Sequence, residues 1–208
     1  MLASGCSSLD TRRYYAPSTA AGETTWENPE PGMESLRRLG GPDNRIKLTE
    51  GGVTIELGST DFQTPTVWLF GPAIGQTPIP IVPVFPIWWL FWLSTSSRRD
   101  KDLNITFVVE SPVDLTYEPE RWVIVTDKGD KYSPSSYSSS SGWEHPSGDA
   151  SKPRSLKSGA HESLTYSTRG KWFKQFTLRP SFASQSGEIV FPTVILKRSN
   201  VTVLSIMK

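Results

Sequence analysis

The chain has 208 residues, enough for one hydrophobic core and a tail, with 22 Lys plus Arg against 21 Asp plus Glu. That balance lacks the basic surplus of a nucleic-acid binder, so no nucleic-acid partner is expected. The apolar share is 36%, while 17 Pro and 16 Gly punctuate the chain, a mix that suits an all-β domain with long loops. A single cysteine excludes an internal disulfide and a cysteine-based zinc cluster.

The N-terminus reads MLASGCSSLD. The run Ala3-Ser4-Gly5-Cys6 resembles the lipobox of bacterial lipoproteins, in which small residues precede a cysteine that is lipidated and becomes the new N-terminus. The resemblance spans about five residues and implies an address, not a fold. Ala3 stands where Leu or Val is usual, with Leu2 one step further out. A signal peptide also needs a basic start and an apolar stretch of about 7–15 residues, which are expected upstream of Met1. The alternative is a chance match at a cysteine in a polar tail. Ser7, rather than Asp, follows the cysteine, which by the family's sorting rule implies the outer membrane.

Residues 7–45 are polar, rich in Ser, Pro and Gly, and show no sustained apolar period. Such a segment buries too little surface to offset its ordering entropy, and 1–45 is read as signal remnant, lipidation site and disordered tether. One short helix is expected at 32–39, behind Pro31 and stopped by Gly40-Gly41-Pro42.

From residue 46 the period becomes two, and 46–208 is read as the folded domain. Val53, Ile55 and Leu57 alternate with Thr54 and Glu56, while Thr49-Glu50-Gly51-Gly52 reads as a hairpin turn from a partner strand holding Ile46 and Leu48. Leu103, Ile105, Phe107 and Val109 alternate likewise. Further β-branched and aromatic runs bring the total to roughly nine strands. The expected architecture is an antiparallel β-sandwich, and the strand pattern admits an immunoglobulin-like arrangement without its cysteine–tryptophan–cysteine hallmark.

Between these strands, 67–93 is nearly apolar, and residues 78–93 read PIPIVPVFPIWWLFWL. Pro78, Pro80, Pro83 and Pro86 forbid a continuous helix, and an unbonded polyproline backbone is not tolerated in hydrocarbon. The stretch is not a helical span. Two readings stand for the Pro/Trp-rich segment 71–93. Residues 67–70 and 87–93 are core strands joined by a proline-stiffened loop, or the segment contacts a membrane interface or an envelope protein. Tryptophan suits the second role, because its ring is apolar and its N–H wet. The contact residues expected are Pro80, Pro83, Phe85, Pro86, Trp88 and Trp92.

Residues 133–160 are Ser-rich and read as a mobile loop. Trp143 and Tyr137, with Trp122 before it, are candidate stacking surfaces for a sugar. Asp127-Lys128-Gly129-Asp130 reads as a hairpin turn. His145 and His161 lie in or beside the Ser-rich stretch, and no nucleophile elbow, phosphate loop or metal motif accompanies them. No enzymatic activity, cofactor or metal is expected. The resemblance and the patterning together point to a lipid-anchored envelope protein with a binding or structural role. A carbohydrate-recognition module is the alternative.

Overall fold

The computed structural model describes residues 4–27, 36–59, 62–74, 77–78, 102–140, 147–168, 171 and 173–207. Among these the chain is all-β, with a single 3-10 turn at Pro119–Arg121. It opens with β1 (Ser4–Ser18), β2 (Glu23–Thr25) and β3 (Leu36–Gly40). The hairpin β4 (Arg45–Glu50) and β5 (Val53–Ser59) leads to β6 (Phe62–Ile74) and β7 (Thr77–Pro78). Then come β8 (Leu103–Glu110), β9 (Leu115–Tyr117), β10 (Ile124–Thr126), β11 (Lys131–Tyr132) and β12 (Ser136–Ser140). Next are β13 (Ser147–Asp149), β14 (Arg154–Leu156), β15 (His161–Tyr166) and β16 (Gln175–Leu178). The chain closes with β17 (Ser181–Ser184), β18 (Gly187–Val190) and β19 (Val194–Met207).

These strands form three antiparallel sheets. The first runs β11-β10-β16-β19-β1-β6-β7, with β3 also on β19. The second runs β13-β12-β15-β8-β5-β4-β2, and a small third runs β14-β9-β17-β18. One core joins them in a sandwich-like packing: Tyr15, Phe176 and Leu196 from the first sheet, Ile55, Ile105 and Leu164 from the second, Tyr117 and Phe182 from the third. The alternation read in the sequence is the reason. Every second residue of β8 is buried, so one face of the second sheet is apolar along its length. The β4–β5 hairpin turns at Gly51 and Gly52, both at positive φ (56° and 78°), which a tight turn matched to strand twist requires. Asp127 to Asp130 also form the expected turn, in which the Thr126 hydroxyl accepts from the Lys128 and Asp130 amides.

Trp122 is the hub of the core. It is 0% exposed, stacks on Phe107 at 4.5 Å and meets Tyr117 and Phe182 edge-on. Its indole N–H donates to the Ser181 carbonyl, and its own carbonyl accepts from the Tyr166 hydroxyl at 2.7 Å. One side chain thereby ties the second and third sheets together and leaves none of its polar atoms stranded.

The structure differs from the sequence reading in three places. Residues 1–3 and 28–35 lie outside the described residues, but the described part of the segment read as a tether supplies β1, β2 and β3. β1 pairs with β19 over the whole register from Cys6↔Met207 to Ser18↔Ile195, and with β6 on its other side. Tyr14 and Tyr15 are both buried, on opposite faces. Tyr15 enters the main core against Phe176, and its backbone N–H donates to Ser59 Oγ at 3.0 Å. Tyr14 forms a second small cluster with Ala16 and Val201, covered by Trp26. Asn44 fastens that cover, accepting from the Glu27 amide and donating to its carbonyl, each at 2.9 Å. The second difference concerns the helix expected at 32–39, whose described part, from residue 36, belongs to β3. Third, the Ser-rich loop 133–160 contributes β12, β13 and β14, and only 141–146 lie outside the described residues. Serine side chains give no alternating apolar signal, yet their backbones complete the ladder β12–β15.

Replacing Trp122 by Ala should cost about 3–5 kcal/mol of stability, the range for a large buried aromatic. Replacing the exposed Val113 by Ser should cost under about 0.5 kcal/mol. Urea unfolding monitored by circular dichroism measures both, and equal costs would contradict this packing.

Candidate functional site

Two regions hold the side chains that the sequence reading singled out. The first is the end of the first sheet. Cys6 stands in β1 between Phe70 of β6 and Met207 of β19. Two rows further, Ser4 pairs with Pro72, and β6 then turns into β7 through Ile74↔Thr77 and Ala73↔Pro78. Pro78 is also the first residue of the stretch PIPIVPVFPIWWLFWL. The topology therefore brings the sole cysteine and the entry to the Pro/Trp-rich segment to one end of one sheet. Pro80, Pro83, Phe85, Pro86, Trp88 and Trp92 themselves lie outside the described residues.

Near Cys6 the ends of β1, β6 and β19 carry no charge, whereas β3 beside them brings Arg37 and Arg38 opposite Leu204 and Val203. Residues 62–97 contain no Asp, Glu, Lys or Arg, and neither do 4–9 of β1 or 203–207 of β19. Cys6 is nine residues along β1 from the core residue Tyr15, or about 30 Å at the strand rise. The sequence reading began its contact segment at residue 71 and took 67–70 as a strand; the register sets Trp68, Leu69 and Phe70 of β6 and Ile206 and Met207 of β19 in the rows at and next to Cys6. The signal was present as the absence of charge from residue 62 onward, whereas hydropathy alone draws attention to 78–93.

The second region is a polar–aromatic cluster beneath the hairpin of β12 and β13. Glu162 of β15 is 3% exposed and accepts at Oε2 from the Tyr117 hydroxyl at 3.0 Å. The Arg154 guanidinium lies over the Tyr137 ring, 3.5 Å from its centroid, and its buried Nε has no hydrogen-bond partner among the described residues. Burial raises the Tyr117 phenol well above its ordinary value, and the neighbouring Glu162 carboxylate raises it further. Burial alone raises Tyr166.

Of the three candidate stacking residues, Trp122 is fully buried and has no free face for a sugar; its place is structural. Tyr137 is half-buried, packs on the core edge and has one ring face taken by Arg154. Trp143 and His145 lie outside the described residues, and His161 is exposed at the start of β15. No two of the three stacking candidates are thus shown side by side. Among the described residues no three His, Cys, Asp or Glu side chains are grouped to hold a metal ion, and no helix is long and apolar enough to cross a membrane.

No protein-family model, curated protein or solved structure matches this chain.

Tyr117 and Tyr166 keep their protons in the folded chain at pH values where unfolded tyrosine, with an ordinary value of 10.0, loses them. The folded state then binds more protons than the unfolded one, so this contribution is intact below about pH 10 and is lost as pH rises above it. Urea midpoints measured at pH 8 and pH 11 should fall with pH, and the Tyr117→Phe/Tyr166→Phe variant should show a shallower fall. A variant with an unchanged slope would contradict the assignment.

Proposed function

We propose that the chain is a lipid-anchored protein of the cell envelope, held to a membrane through Cys6 and acting by binding or as a structural accessory rather than by catalysis. One observation carries this reading: the lipobox-like cysteine and the entry to the Pro/Trp-rich segment share one end of the first sheet, where β1 and β6 carry no charge. A diacylglyceryl group on Cys6 would bring that end to the bilayer surface, where uncharged backbone-paired strands and tryptophans are at home. The pairing of β1 supports a further point. A cysteine in a paired strand leaves little free spacer, so the domain would stand close to the membrane.

The site of action proposed is the outer membrane, from Ser7 after the cysteine. The carbohydrate-recognition alternative loses support from the burial of Trp122 and the occupied face of Tyr137. The candidate contacts remain Pro80, Pro83, Phe85, Pro86, Trp88 and Trp92, together with the strand neighbours of Cys6.

The test is cell fractionation, with the sequence upstream of Met1 retained in the gene, and an intact mass of the mature chain. Wild type should be membrane-bound and begin at a triacylated Cys6, and Cys6→Ala should remain unprocessed. A soluble wild type that retains Met1 would remove the lipoprotein reading.

A further inference from the structure

We propose that Arg154 is a two-position gate over the Tyr137 ring, with the buried Glu162 carboxylate as its second seat. The inference goes beyond the membrane reading and does not depend on it.

The cluster lies where the hairpin of β12 and β13, in the second sheet, meets the edge strand β14 of the third. In the position seen, the Arg154 guanidinium covers Tyr137 at 3.5 Å, while its buried Nε finds no hydrogen-bond partner among the described residues. Glu162 is 3% exposed, and among the described residues its carboxylate accepts a hydrogen bond only from the neutral Tyr117 hydroxyl, at 3.0 Å. The ion pairs of the described residues do not include one between Arg154 and Glu162. A carboxylate so deeply buried is costly unless paired, and an unsatisfied guanidinium N–H is costly as well. Two groups of opposite charge, each with unfilled hydrogen-bonding capacity, thus belong to one cluster.

Register puts the second seat within reach. Arg154 and Tyr117 are direct cross-strand partners, so both side chains stand on the same face of the third sheet, with Cβ atoms about 4.5–5.5 Å apart. The two side chains are of similar length, and Tyr117 ends at Glu162. Rotation about the side-chain torsions of Arg154, with the strand in place, therefore carries the guanidinium from the ring to the carboxylate. The electrostatics of Tyr117 agree with this layout. Burial raises its phenol, Glu162 raises it further and Arg154 pulls it back, so one hydroxyl lies in the field of both charges.

Each position leaves something unmet, and that makes the element bistable. On the ring, Arg154 gains a cation–π contact and leaves its Nε and the carboxylate underfilled. On Glu162 it gains charge-assisted hydrogen bonds and bares the ring. Tyr137 keeps its own place in both. It packs on the core edge and lies across Gly148, its partner in β13, where a Cβ would come 3.1 Å from the phenol oxygen. Departure of Arg154 therefore uncovers a preformed aromatic face. Stacking of any ligand on Tyr137 is conditional on Arg154, and such a ligand shifts the arginine toward Glu162.

Proton NMR of the full chain reads the gate, because the δ-methylene protons of Arg154 move upfield only while they lie over the ring. Wild type should show a partial upfield shift, averaged over the two positions. Glu162→Gln weakens the second seat but keeps an acceptor for Tyr117, and should enlarge the shift. Tyr117→Phe leaves the carboxylate without its neutral donor, and should reduce it. In Tyr137→Leu the Arg154 Nε–H should exchange with solvent several-fold more slowly than in wild type, held by Glu162. If Tyr117→Phe does not unfold cooperatively, the other two variants decide. An Arg154 shift unchanged by Glu162→Gln, or an Nε–H that exchanges in Tyr137→Leu as fast as in wild type, would overturn the gate.

Discussion

The pairing of β1 between β19 and β6 is the constraint on which the rest of this structure depends. Thirteen residues of β1 are in register with β19, from Cys6 to Ser18. Without that strand, the backbone donors and acceptors of β19 and β6 along this side would need other partners, and buried backbone groups are seldom left unpaired. β1 also closes two cores at once. Tyr15 completes the main core between the first and second sheets, and Tyr14 seals the outer cluster under Trp26. With Tyr14 and Tyr15 buried on opposite faces, this part of the strand cannot fray as a tail does.

β1, β6 and β19 are longer than the sandwich needs, and their two halves live in different surroundings. Toward Ser18 and Val194 they lie over the second sheet, where β16 and β10 continue the first sheet. Toward Ser4, Pro72 and Met207 they pair with β3 and β7 instead, and lose their charge. Two interruptions mark the change. The β1–β6 register shifts between Asp10 and Arg12, and the β19–β3 register between Thr202 and Val203. Bulges of this kind increase local twist and re-aim a sheet. Asp10 and Arg12 of β1 and Arg38 of β3 lie in the rows beside these shifts, where the uncharged strand ends give way to charged residues.

Much of the sandwich was legible in the sequence. Val53, Ile55 and Leu57, and Leu103 to Val109, announced their strands by alternation, because a half-buried strand repeats every two residues. Gly51-Gly52 and Asp127 to Asp130 announced their turns through residues that tolerate positive φ. β1 and β12 were not legible. Their serines, threonines and arginines show no period, and what holds them is pairing to β19 and β15, partners distant in sequence. Local propensity is overridden in the same way in β3, where Leu36-Arg37-Arg38-Leu39 has helical spacing and lies on β19 as a strand. The candidate site was half legible. Cys6 and the tryptophan-rich stretch each stood out, but only the β1–β6 register puts them at one end of a sheet. Trp122 shows the opposite failure: an aromatic that composition offered as a sugar platform is the largest fully buried side chain among the described residues.

The central claim is that the N-terminal stretch is a sheet strand that carries Cys6 to one end of the first sheet, and amide hydrogen exchange on the intact chain tests it most directly. The account predicts that the amides of 14–18 exchange only with global unfolding, and that those of 6–10 are protected in step with their partners 203–207 and 66–70. Exchange of 6–18 at the rate of free peptide, with the remaining strands protected, would contradict it and would return that stretch to the role of a tether.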